Sequence, residues 1–480
     1  MLDPKFLKQE CYVAGEWIGS AAKIEVVNPA TGKVIGTVPK FGRPETRHAI
    51  DAAHAAFAGW SARPAGDRAD YCRKMFQALM DNQEALARIL TVEMGKPLAE
   101  AKGEVAYAAN FFKWFGEEAR RVYGDIIPSP WMDKRILVVK QPVGVVGSIT
   151  PWNFPTAMIA RKAAAALATG CTIVAKPASQ TPFSALAYGA IAEMVGLPKG
   201  VLNVITGSAS AIADEMCEHP RLRKITFTGS TEVGKALSSN ALKHMKRVSM
   251  ELGGNAPFIV FDDADLDRAV QGAIASKYRN SGQTCVCANR ILVQSSVYDA
   301  FAEKLAKAVL KLKVGDGLEA GVEQGPLIDE AAVKKVEEHI ADATGRGARI
   351  AIGGSRHSKG LTFFEPTVLT GVTADMAVAR EETFGPVAPL FRFDTEDEAI
   401  RMANDTEYGL ASYFYTRDLA RAFRVMENLE YGIVGVNEGI ISTEVAPFGG
   451  VKESGMGREG SKYGLEDYLN VKYALVGGLG

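Results

Sequence analysis

The chain has 480 residues, and a typical domain length of about 150 residues therefore predicts several domains and excludes a single small binding module. Apolar residues make up 47% of the sequence and charged residues 23%, values typical of globular proteins, which excludes a disordered or fibrous chain. Lysine and arginine number 55 against 56 aspartates and glutamates, so no global charge attracts nucleic acid or an anionic membrane.

The N-terminal segment and the cysteine content favour a cytoplasmic protein. The first ten residues mix both charge signs and contain no apolar core of a signal peptide. The uncharged stretch 163–175 is shorter than the roughly 18 residues that a membrane span needs. Six cysteines are too few for a disulfide scaffold in this chain, so a special cysteine is expected to matter through its reactivity. The histidines show no zinc-binding spacing, and no metal site is predicted.

The first part of the chain is predicted to be mostly helical, from residue 43 to residue 121. From residue 143 onward, short β-branched runs alternate with amphipathic or alanine-rich segments, a pattern typical of a parallel sheet covered by helices. Strands are predicted at 143–149, 171–177, 201–207, 224–229 and 248–252. This run indicates a doubly wound nucleotide-binding unit.

A second α/β run follows the first. Its predicted strands are 258–262, 290–294, RIAIGG, VAPLFRF and IVGVNE, and its predicted helices are 265–278 and 297–312. Two α/β domains that meet at a cleft are therefore expected. Segments 134–141 and 471–476 read as exposed strands outside both units, and free edges of this kind are often covered by another subunit. The glycine-rich segment 435–464 is predicted to be a functional loop.

Two glycine-rich patterns resemble phosphate sites, and both are incomplete. Segment 455–460 contains G-x-G-x-x-G, but no predicted strand leads into it, which favours a chance match within a loop. Segment 229–236 resembles a P-loop, yet Ala236 replaces the hydroxyl residue that would bind magnesium. Ser230 or Thr231 could still cap a helix whose N-terminus faces the pyrophosphate of a dinucleotide, and an ordinary capped helix is the alternative.

Three residues have side chains suited to acyl chemistry. Cys285 lies between a predicted helix and strand, in a polar, glycine-containing segment where a thiolate could be exposed; an inert packed cysteine is the alternative. Glu251 closes an apolar strand and could act as a general base if burial raises its pKa, or it could be a solvated acid. The Asn153 amide could stabilise an oxyanion or belong to an ordinary turn.

Several segments together resemble the aldehyde dehydrogenase superfamily over essentially the whole chain. They are PWNFP (151–155), KPAS (176–179), FTGSTEVG (227–234), MELGGN (250–255), NSGQTCVCANR (280–290), EETFGPV (381–387) and PFGGVKESGMGRE (447–459). The resemblance implies an α/β fold with two Rossmann-like domains and a small β oligomerisation extension. It also implies NAD(P)-dependent oxidation of an aldehyde to a carboxylate.

The resemblance further implies a domain division. The expected parts are an NAD(P)-binding domain (1–127 and 144–252), a catalytic domain with the nucleophilic cysteine (253–443), oligomerisation strands (128–143 and 462–480) and a glycine-rich loop on the substrate side (444–461). A homo-oligomer is expected, with a tetramer favoured over a dimer. No nucleic acid or membrane partner is expected.

The resemblance assigns roles to matching positions. Cys285 would attack the aldehyde as a thiolate, and Asn153 with the Cys285 backbone N–H would hold the oxyanion. Hydride would pass to the nicotinamide, and Glu251 would activate the water that hydrolyses the thioester. The expected cofactor-binding residues are Trp152, Lys176, Ser179, Gly229, Ser230, Glu382 and Phe384, with Lys176 and Glu382 at the two riboses.

Within the superfamily the sequence is most similar to succinate-semialdehyde dehydrogenases. The similarity lies in segments 154–162, 278–287, 437–442 and 457–469. It implies that Arg161, Arg279 and Ser442 hold the distal carboxylate of a small anionic aldehyde, for which the arginine fork is suited. Judged without the resemblance, Arg161 could instead begin a solvated helix and Arg279 could pair with an acidic neighbour. Glutarate semialdehyde or a sulfonated aldehyde such as sulfolactaldehyde could use the same arginines.

The cofactor preference depends on position 179. Many NAD-preferring members have a glutamate there, whereas Ser179 removes a repulsion against a 2′-phosphate and Lys176 could attract one. NADP is therefore expected to be used at least as well as NAD. The Cys285 and Cys287 pair resembles a couple that forms a reversible redox switch in some relatives.

Two functions from other classes are alternatives. A cofactor-independent cysteine hydrolase could use Cys285 and Glu251 without redox chemistry. A non-catalytic scaffold with a degenerate site is the second, but the joint presence of Cys285, Glu251 and Asn153 argues against it.

Overall fold

A computed structural model describes residues 2–479, which form four β-sheets and the helices that cover them. The α-helices are α1 (Arg43–Ser61), α2 (Ala65–Asp81), α3 (Gln83–Met94), α4 (Leu98–Glu118), α5 (Pro155–Thr169), α6 (Pro182–Met194), α7 (Ala209–Glu218), α8 (Thr231–Leu242), α9 (Leu266–Lys277), α10 (Tyr298–Val309), α11 (Glu330–Gly345), α12 (Ala377–Arg380), α13 (Glu396–Asn404) and α14 (Leu419–Asn428). The strands are β1 (Cys11–Val13), β2 (Glu16–Ile18), β3 (Lys23–Val27), β4 (Val34–Pro39), β5 (Asp125–Ile127), β6 (Arg135–Pro142), β7 (Val145–Ile149), β8 (Thr172–Lys176), β9 (Leu202–Val204), β10 (Leu222–Thr228), β11 (Arg247–Glu251), β12 (Ala256–Val260), β13 (Ala288–Gln294), β14 (Arg349–Ile352), β15 (Thr367–Thr370), β16 (Val387–Phe393), β17 (Ala411–Tyr415), β18 (Ile433–Val436), β19 (Gly455–Met456) and β20 (Leu469–Val476).

The first sheet has the strand order β19-β11-β10-β7-β8-β9-β1-β2. Its central strands β11, β10, β7, β8 and β9 are parallel and correspond to the predicted strands between residues 143 and 252, so the predicted doubly wound unit is confirmed. One apolar core packs helices α2–α6 on one face, and a second packs α1, α7 and α8 on the other. The alanine-rich helix α5 is buried along its whole length, because small side chains allow neighbours to approach it from all sides.

The second sheet has the order β14-β15-β16-β13-β12-β17-β18, and only β14 runs antiparallel. The predicted strand VAPLFRF is β16 with the same bounds, and the helix predicted at 265–278 is α9. The Asp265 side chain caps α9 by accepting a hydrogen bond from the Arg268 N–H at 3.2 Å. The predicted second α/β unit is confirmed.

A three-stranded antiparallel sheet lies outside both units, with the order β20-β6-β5. The predicted segments 134–141 and 471–476 are β6 and β20, and they pair with each other along their whole lengths. The expectation that both would present free edges was wrong for β6, because β5 pairs with its other side. Within residues 2–479, no helix combines the length and the apolar character needed to cross a membrane.

The two large sheets position the candidate site between them. Strands β7, β8, β10 and β11 are parallel, so their carboxyl ends, at Ile149, Lys176, Thr228 and Glu251, lie at one edge of the first sheet. The chain runs from Glu251 through two glycines into β12 of the second sheet. That short connection brings the edge close to the loop that precedes β13.

Candidate active site

The loop that carries Cys285 has a strained and well-anchored backbone. Asn280 and Ser281 adopt positive φ angles of 52° and 55°, which are unfavourable for residues with a Cβ. The Asn280 side chain donates to the Asn153 carbonyl at 3.0 Å, and the Ser281 hydroxyl donates to the Gly325 carbonyl at 2.9 Å. Strain of this kind persists where surrounding contacts hold it, often at functional sites.

Two glycines permit close approach to this loop. A Cβ at Gly282 would lie 2.1 Å from the Gly385 carbonyl oxygen, and a Cβ at Gly254 would lie 2.6 Å from the Cys285 carbonyl oxygen. Neither position can carry a side chain without movement of the backbone. The Cys285 loop is therefore packed between the chain that follows Glu251 and the segment that precedes β16.

The Asn153 amide is held in a defined orientation beside this loop. Its oxygen accepts from the Phe154 N–H at 3.1 Å, and its nitrogen donates to the Gln283 carbonyl at 3.1 Å. Within residues 2–479 this nitrogen has one acceptor, so the second of its two amide hydrogens is free for a ligand. The Asn153 backbone carbonyl accepts from Lys96 Nζ at 2.7 Å.

A buried ion pair supports this amide, and sequence reasoning missed it. Lys96 is 1% exposed and donates to Glu104 at 2.6 Å. The other Glu104 oxygen accepts from the backbone N–H groups of Thr156 and Ala157 in the first turn of α5, at 2.9 and 3.1 Å. Nothing in the sequence around Lys96 or Glu104 signals burial, because both resemble ordinary charges near helix α4.

A cavity of about 230 Å³ opens beside Cys285. Seven residues predicted from the sequence line it: Trp152, Asn153, Gly229, Ser230, Cys285, Glu382 and Phe384. The Trp152 and Phe384 rings meet edge to face at 5.4 Å, and burial raises the pKa of Glu382 to about 7. Apolar walls with a few polar groups are typical of cofactor and ligand sites.

The start of helix α8 differs from its prediction. Ser230 occupies the N-cap position, but its side chain makes no cap hydrogen bond in the described part of the chain. Thr231 instead accepts from the Gly253 N–H at 3.3 Å and donates to the Glu453 carbonyl at 3.3 Å. The predicted cap was wrong. The Thr231 hydroxyl is hydrogen-bonded to the backbone of Gly253 and Glu453, and Ser230 lines the cavity. The N–H groups of this uncapped first turn are the kind that bind anions.

Lys176 and Ser179 lie apart from the cavity lining, at and after the carboxyl end of β8. Lys176 is 5% exposed, and burial lowers its pKa to about 8. Within residues 2–479 its ammonium group forms no hydrogen bond or salt bridge. Ser179 is half-buried. A buried lysine without a partner is suited to an anionic ligand.

Glu251 is a buried carboxylate at the end of β11. It is 4% exposed, and its Oε2 has no hydrogen-bond partner among the described residues. Its Oε1 lies against Gly449, where a Cβ would come within 2.9 Å. Burial, followed by the charge of Glu459, raises the pKa of Glu251 well above its ordinary value. A carboxylate with a raised pKa is a stronger base.

Glu459 joins two basic side chains of α5 beneath the site. It accepts from Lys162, whose Nζ also donates to Thr228 Oγ1 at 2.7 Å. Arg161 Nε lies 2.7 Å from Glu459 Oε2 without the alignment of a hydrogen bond, and the guanidinium stacks on Phe448 at 3.9 Å. Burial alone would raise the pKa of Glu459, but the positive charges of Lys162 and Arg161 lower it below its ordinary value. The sequence did not reveal this cluster, since Lys162 and Glu459 are 297 positions apart.

The Cys285 thiol differs from the exposed thiolate that the sequence suggested. Cys285 is half-buried, and burial raises its pKa to about 12. The positive charge of Arg161 lowers that pKa, while Glu382 and Glu251 raise it. The resting group is therefore a protonated thiol, and thiolate formation increases with pH.

The three predicted substrate-binding residues have different surroundings. Arg161 lies in the middle of α5 and is 2% exposed, so the alternative of a solvated helix start is wrong. Arg279 is half-buried, with its guanidinium 5.1 Å from the centre of the Phe154 ring. No carboxylate of residues 2–479 lies within salt-bridge distance of Arg279. Ser442 is half-buried in the loop after β18, and no hydrogen bond joins the three within the described chain.

Cys287 is buried two residues after Cys285. Its thiol donates to the Lys277 carbonyl at 3.6 Å. Both cysteines are free thiols.

A family model described as the aldehyde dehydrogenase family matches residues 17–474. The chain belongs to the aldehyde dehydrogenase family. It is 61% identical over 479 residues to a glutarate-semialdehyde dehydrogenase of Pseudomonas aeruginosa, with 99% of each chain covered. It is also 61% identical over 477 residues to the NADP(+) succinate-semialdehyde dehydrogenase GabD of Escherichia coli, again with 99% of each chain covered.

Two further similarities extend this result. The chain is 59% identical over 479 residues to a 3-sulfolactaldehyde dehydrogenase of Pseudomonas putida, with 99% of each chain covered. The crystal structure of an NADP-dependent enzyme from E. coli superposes with a TM-score of 0.98 at 60% identity, covering 99% of each chain. The aldehyde dehydrogenase fold and an NAD(P)-dependent oxidoreductase activity on aldehydes follow for this chain, and both predictions are confirmed.

Proposed function

We propose that this aldehyde dehydrogenase oxidises a small aldehyde with a distal anionic group, with succinate semialdehyde as its main substrate. Glutarate semialdehyde and sulfolactaldehyde are the alternatives, and relatives of nearly equal identity carry each of the three activities in their names. The observation that carries the proposal is the arrangement around Cys285. A cavity lined by Trp152 and Phe384 lies beside the sulfur, and the buried Arg161 charge acts on the same thiol.

Cys285 is the proposed nucleophile. The thiol loses its proton to solvent, and the thiolate sulfur then attacks the carbonyl carbon. The oxyanion that forms is held by the free Asn153 amide hydrogen and the Cys285 backbone N–H. Asn153 is suited to this role because hydrogen bonds fix its orientation before substrate binds. A bound nicotinamide would accept the hydride, which would leave a thioester on the sulfur.

Glu251 is the proposed base for the second half of the reaction. Its raised pKa suits it to take a proton from the water that attacks the thioester, which releases the carboxylate product and the free thiol. The ion pair of Lys162 and Glu459 lies beside Glu251, and the two charges have opposite effects on the Glu251 pKa. Removal of the side-chain charge at position 251 should therefore slow hydrolysis of the thioester.

The residues around the cavity fit a nicotinamide dinucleotide. The bound nicotinamide would supply the hydride acceptor. Trp152 and Phe384 would contact its ring, Glu382 and Lys176 would bind the two riboses, and the open first turn of α8, with Gly229 and Ser230, would face the pyrophosphate. The unpaired Lys176 ammonium and the small Ser179 favour NADP at least as much as NAD.

Arg161, Arg279 and Ser442 are the proposed residues for the distal anion. Arg161 is buried without a full set of hydrogen-bond partners, and Arg279 has no salt bridge within residues 2–479. A buried guanidinium with free donors is costly unless a ligand anion satisfies it. This need supports an anionic aldehyde over a neutral one as the substrate.

The direct test is a substrate panel followed by absorbance of the reduced nicotinamide. Succinate semialdehyde, glutarate semialdehyde, sulfolactaldehyde and the neutral butanal should each be offered with NAD and with NADP. We expect kcat/KM to be highest for a semialdehyde, with NADP at least equal to NAD. Butanal oxidised as efficiently as the anionic aldehydes would contradict the proposed substrate class. Turnover of esters without oxidation of any aldehyde would instead support a hydrolase.

We also propose that the chain acts as a cytoplasmic homo-oligomer, with a tetramer favoured. The support is the exposed apolar surface of β20, where Val471 is 70% and Tyr473 58% exposed. A nucleophilic thiol also favours a reducing compartment. Light scattering after gel filtration tests the assembly, and a monomeric mass at micromolar concentration would contradict it.

A further inference from the structure

Two buried polar atoms next to the proposed anion site lack partners. Arg161 Nη2 and the Tyr107 hydroxyl are both shielded from solvent and form no hydrogen bond within residues 2–479. Tyr107 lies on α4, and its ring meets Phe111 edge to face at 4.9 Å. An unpaired buried donor costs free energy, so such groups in a well-packed site indicate a ligand that satisfies them.

The surroundings of Tyr107 are those of an anion site. Arg161 and Arg279 lie close enough to its hydroxyl to lower its pKa, and Glu459 and Glu444 are near enough to raise it. Burial has the largest effect, and the net result is a raised pKa. The hydroxyl therefore keeps its proton at neutral pH and remains available as a donor.

Arg161 alone cannot offer its whole fork to a substrate. Its Nε faces Glu459 at 2.7 Å, and its Nη1 contacts the Met158 sulfur at 3.7 Å. Within residues 2–479 neither Nε nor Nη2 forms a hydrogen bond, and since Nε lies against Glu459, Nη2 is the nitrogen left for a substrate. A carboxylate has two oxygens that need donors, so a second donor beside Nη2 would complete the site.

We propose that the Tyr107 hydroxyl donates a hydrogen bond to the distal anionic group of the substrate, together with Arg161 and Arg279, and thereby determines specificity for anionic aldehydes. This inference rests on the proposed function and adds a residue that the sequence did not indicate. It also explains why a hydroxyl is buried here without a partner.

The test is Tyr107→Phe, which removes only the hydroxyl. The two substrates are succinate semialdehyde and butanal, which has the same number of carbons and no carboxylate. We expect kcat/KM for the semialdehyde to fall by about 10- to 100-fold, as for loss of a hydrogen bond to a charged group, and butanal kinetics to change less than about twofold. The melting temperature should stay the same or rise, because an unsatisfied buried hydroxyl is removed.

Tyr298→Phe is the matched control. The Tyr298 hydroxyl donates to the Leu390 carbonyl at 3.1 Å and accepts from the Gly371 N–H at 2.9 Å, within the second sheet. Its loss should lower the melting temperature and leave the ratio of the two kcat/KM values unchanged. Tyr107→Met provides a second variant without the hydroxyl, with the same expected loss of selectivity.

The possible failures are distinguishable. Unchanged selectivity in both Tyr107 variants would overturn the inference and indicate that only water meets the hydroxyl. Equal losses for both aldehydes, with a lower melting temperature, would also overturn it and assign Tyr107 a structural role. A parent enzyme that prefers butanal would instead contradict the proposed function itself.

Discussion

The two sides of Cys285 have opposite character. The cavity side is lined mostly by neutral residues, among them Trp152, Leu252 and Phe384. Apart from Cys285 itself, Glu382 is its one ionisable lining residue within the described chain. On the other side Arg161 and Glu251 are buried in a network of charges. A cofactor brings its own chemistry and needs shape and orientation, whereas substrate binding and thioester hydrolysis need charges that the protein must pair with one another.

The largest expected effect comes from removing the sulfur between the two sides. Cys285→Ala should reduce kcat/KM for every aldehyde by about 10⁴-fold or more, since loss of a catalytic nucleophile has effects of this size. Reduced-nicotinamide absorbance is the measurement. Cys217→Ala is the control, because Cys217 lies in the core between the first sheet and its helices. Turnover by Cys285→Ala at the level of this control would show that a residue other than Cys285 is the nucleophile.

The next effect should be confined to the charged side. Arg279→Met keeps a long side chain beside Phe154 and removes the charge, so kcat/KM for succinate semialdehyde should fall by about 100- to 1000-fold, with butanal changed by less than about threefold. Arg392→Met is a matched control, since Arg392 stacks on Tyr298 at 3.7 Å and is exposed. Equal losses for both aldehydes would show that Arg279 does not act by binding the distal anionic group.

A smaller effect tests whether the buried Lys96–Glu104 ion pair holds Asn153 in place beside Cys285. Lys96→Met combined with Glu104→Gln removes the buried ion pair together and should lower kcat by about 10- to 100-fold, because the Asn153 amide loses its fixed position. The KM for NADP should not change. Lys246→Met is the control, since this lysine is likewise buried and donates to backbone carbonyls, those of His219 and Leu222. An unchanged kcat in the double variant would show that Asn153 does not depend on Lys96.

The smallest expected effect concerns the cofactor side and pH. Burial lowers the Lys176 pKa to about 8, so its positive charge is present below that pH and lost as the pH rises through it. The attraction for a 2′-phosphate should decline with the charge. The ratio of kcat/KM for NADP to that for NAD should therefore fall several-fold between about pH 7 and pH 9. A ratio independent of pH would exclude Lys176 as the residue that attracts the phosphate.

A substitution at Ser179 complements this pH dependence. Ser179→Glu places a negative charge after β8, and the preference should move toward NAD. Gln180→Glu is the matched control, because it adds the same charge at the next position along the chain, which is exposed. A preference unchanged by Ser179→Glu would count against cofactor discrimination at this position.

The sequence predicted the sheets and the residues at their strand ends, and it missed the charges beneath them. Buried parallel strands such as β16 appear as mostly β-branched or apolar runs, and Glu251 is the last residue of the shorter strand β11. Lys96 and Lys162 carry no such signal, because a buried lysine and a solvated helix lysine look alike in a sequence. Their burial depends on acidic partners from distant segments. Geometry in three dimensions is needed to identify them.

The Cys285 pKa illustrates the same limit. The polar segment around this residue correctly suggested a loop, but the degree of burial depends on how the two sheets meet. The predicted cap of helix α8 by Ser230 or Thr231 was wrong for a related reason. The Thr231 hydroxyl donates to the carbonyl of Glu453, which is far away in the sequence. Local patterns predict local structure, and contacts between distant segments decide protonation and hydrogen bonding.

The most direct test of the central claim is to trap the acyl group on Cys285 in a Glu251→Gln variant. The substitution keeps the size of the side chain and removes a negative charge that raises the Cys285 pKa, so formation of the thioester should proceed while its hydrolysis is slow. Succinate semialdehyde and NADP should give a rapid burst of reduced cofactor, and mass spectrometry should find the acyl group on the peptide that contains Cys285. A burst without that adduct, or an acyl group on a different cysteine, would contradict the account.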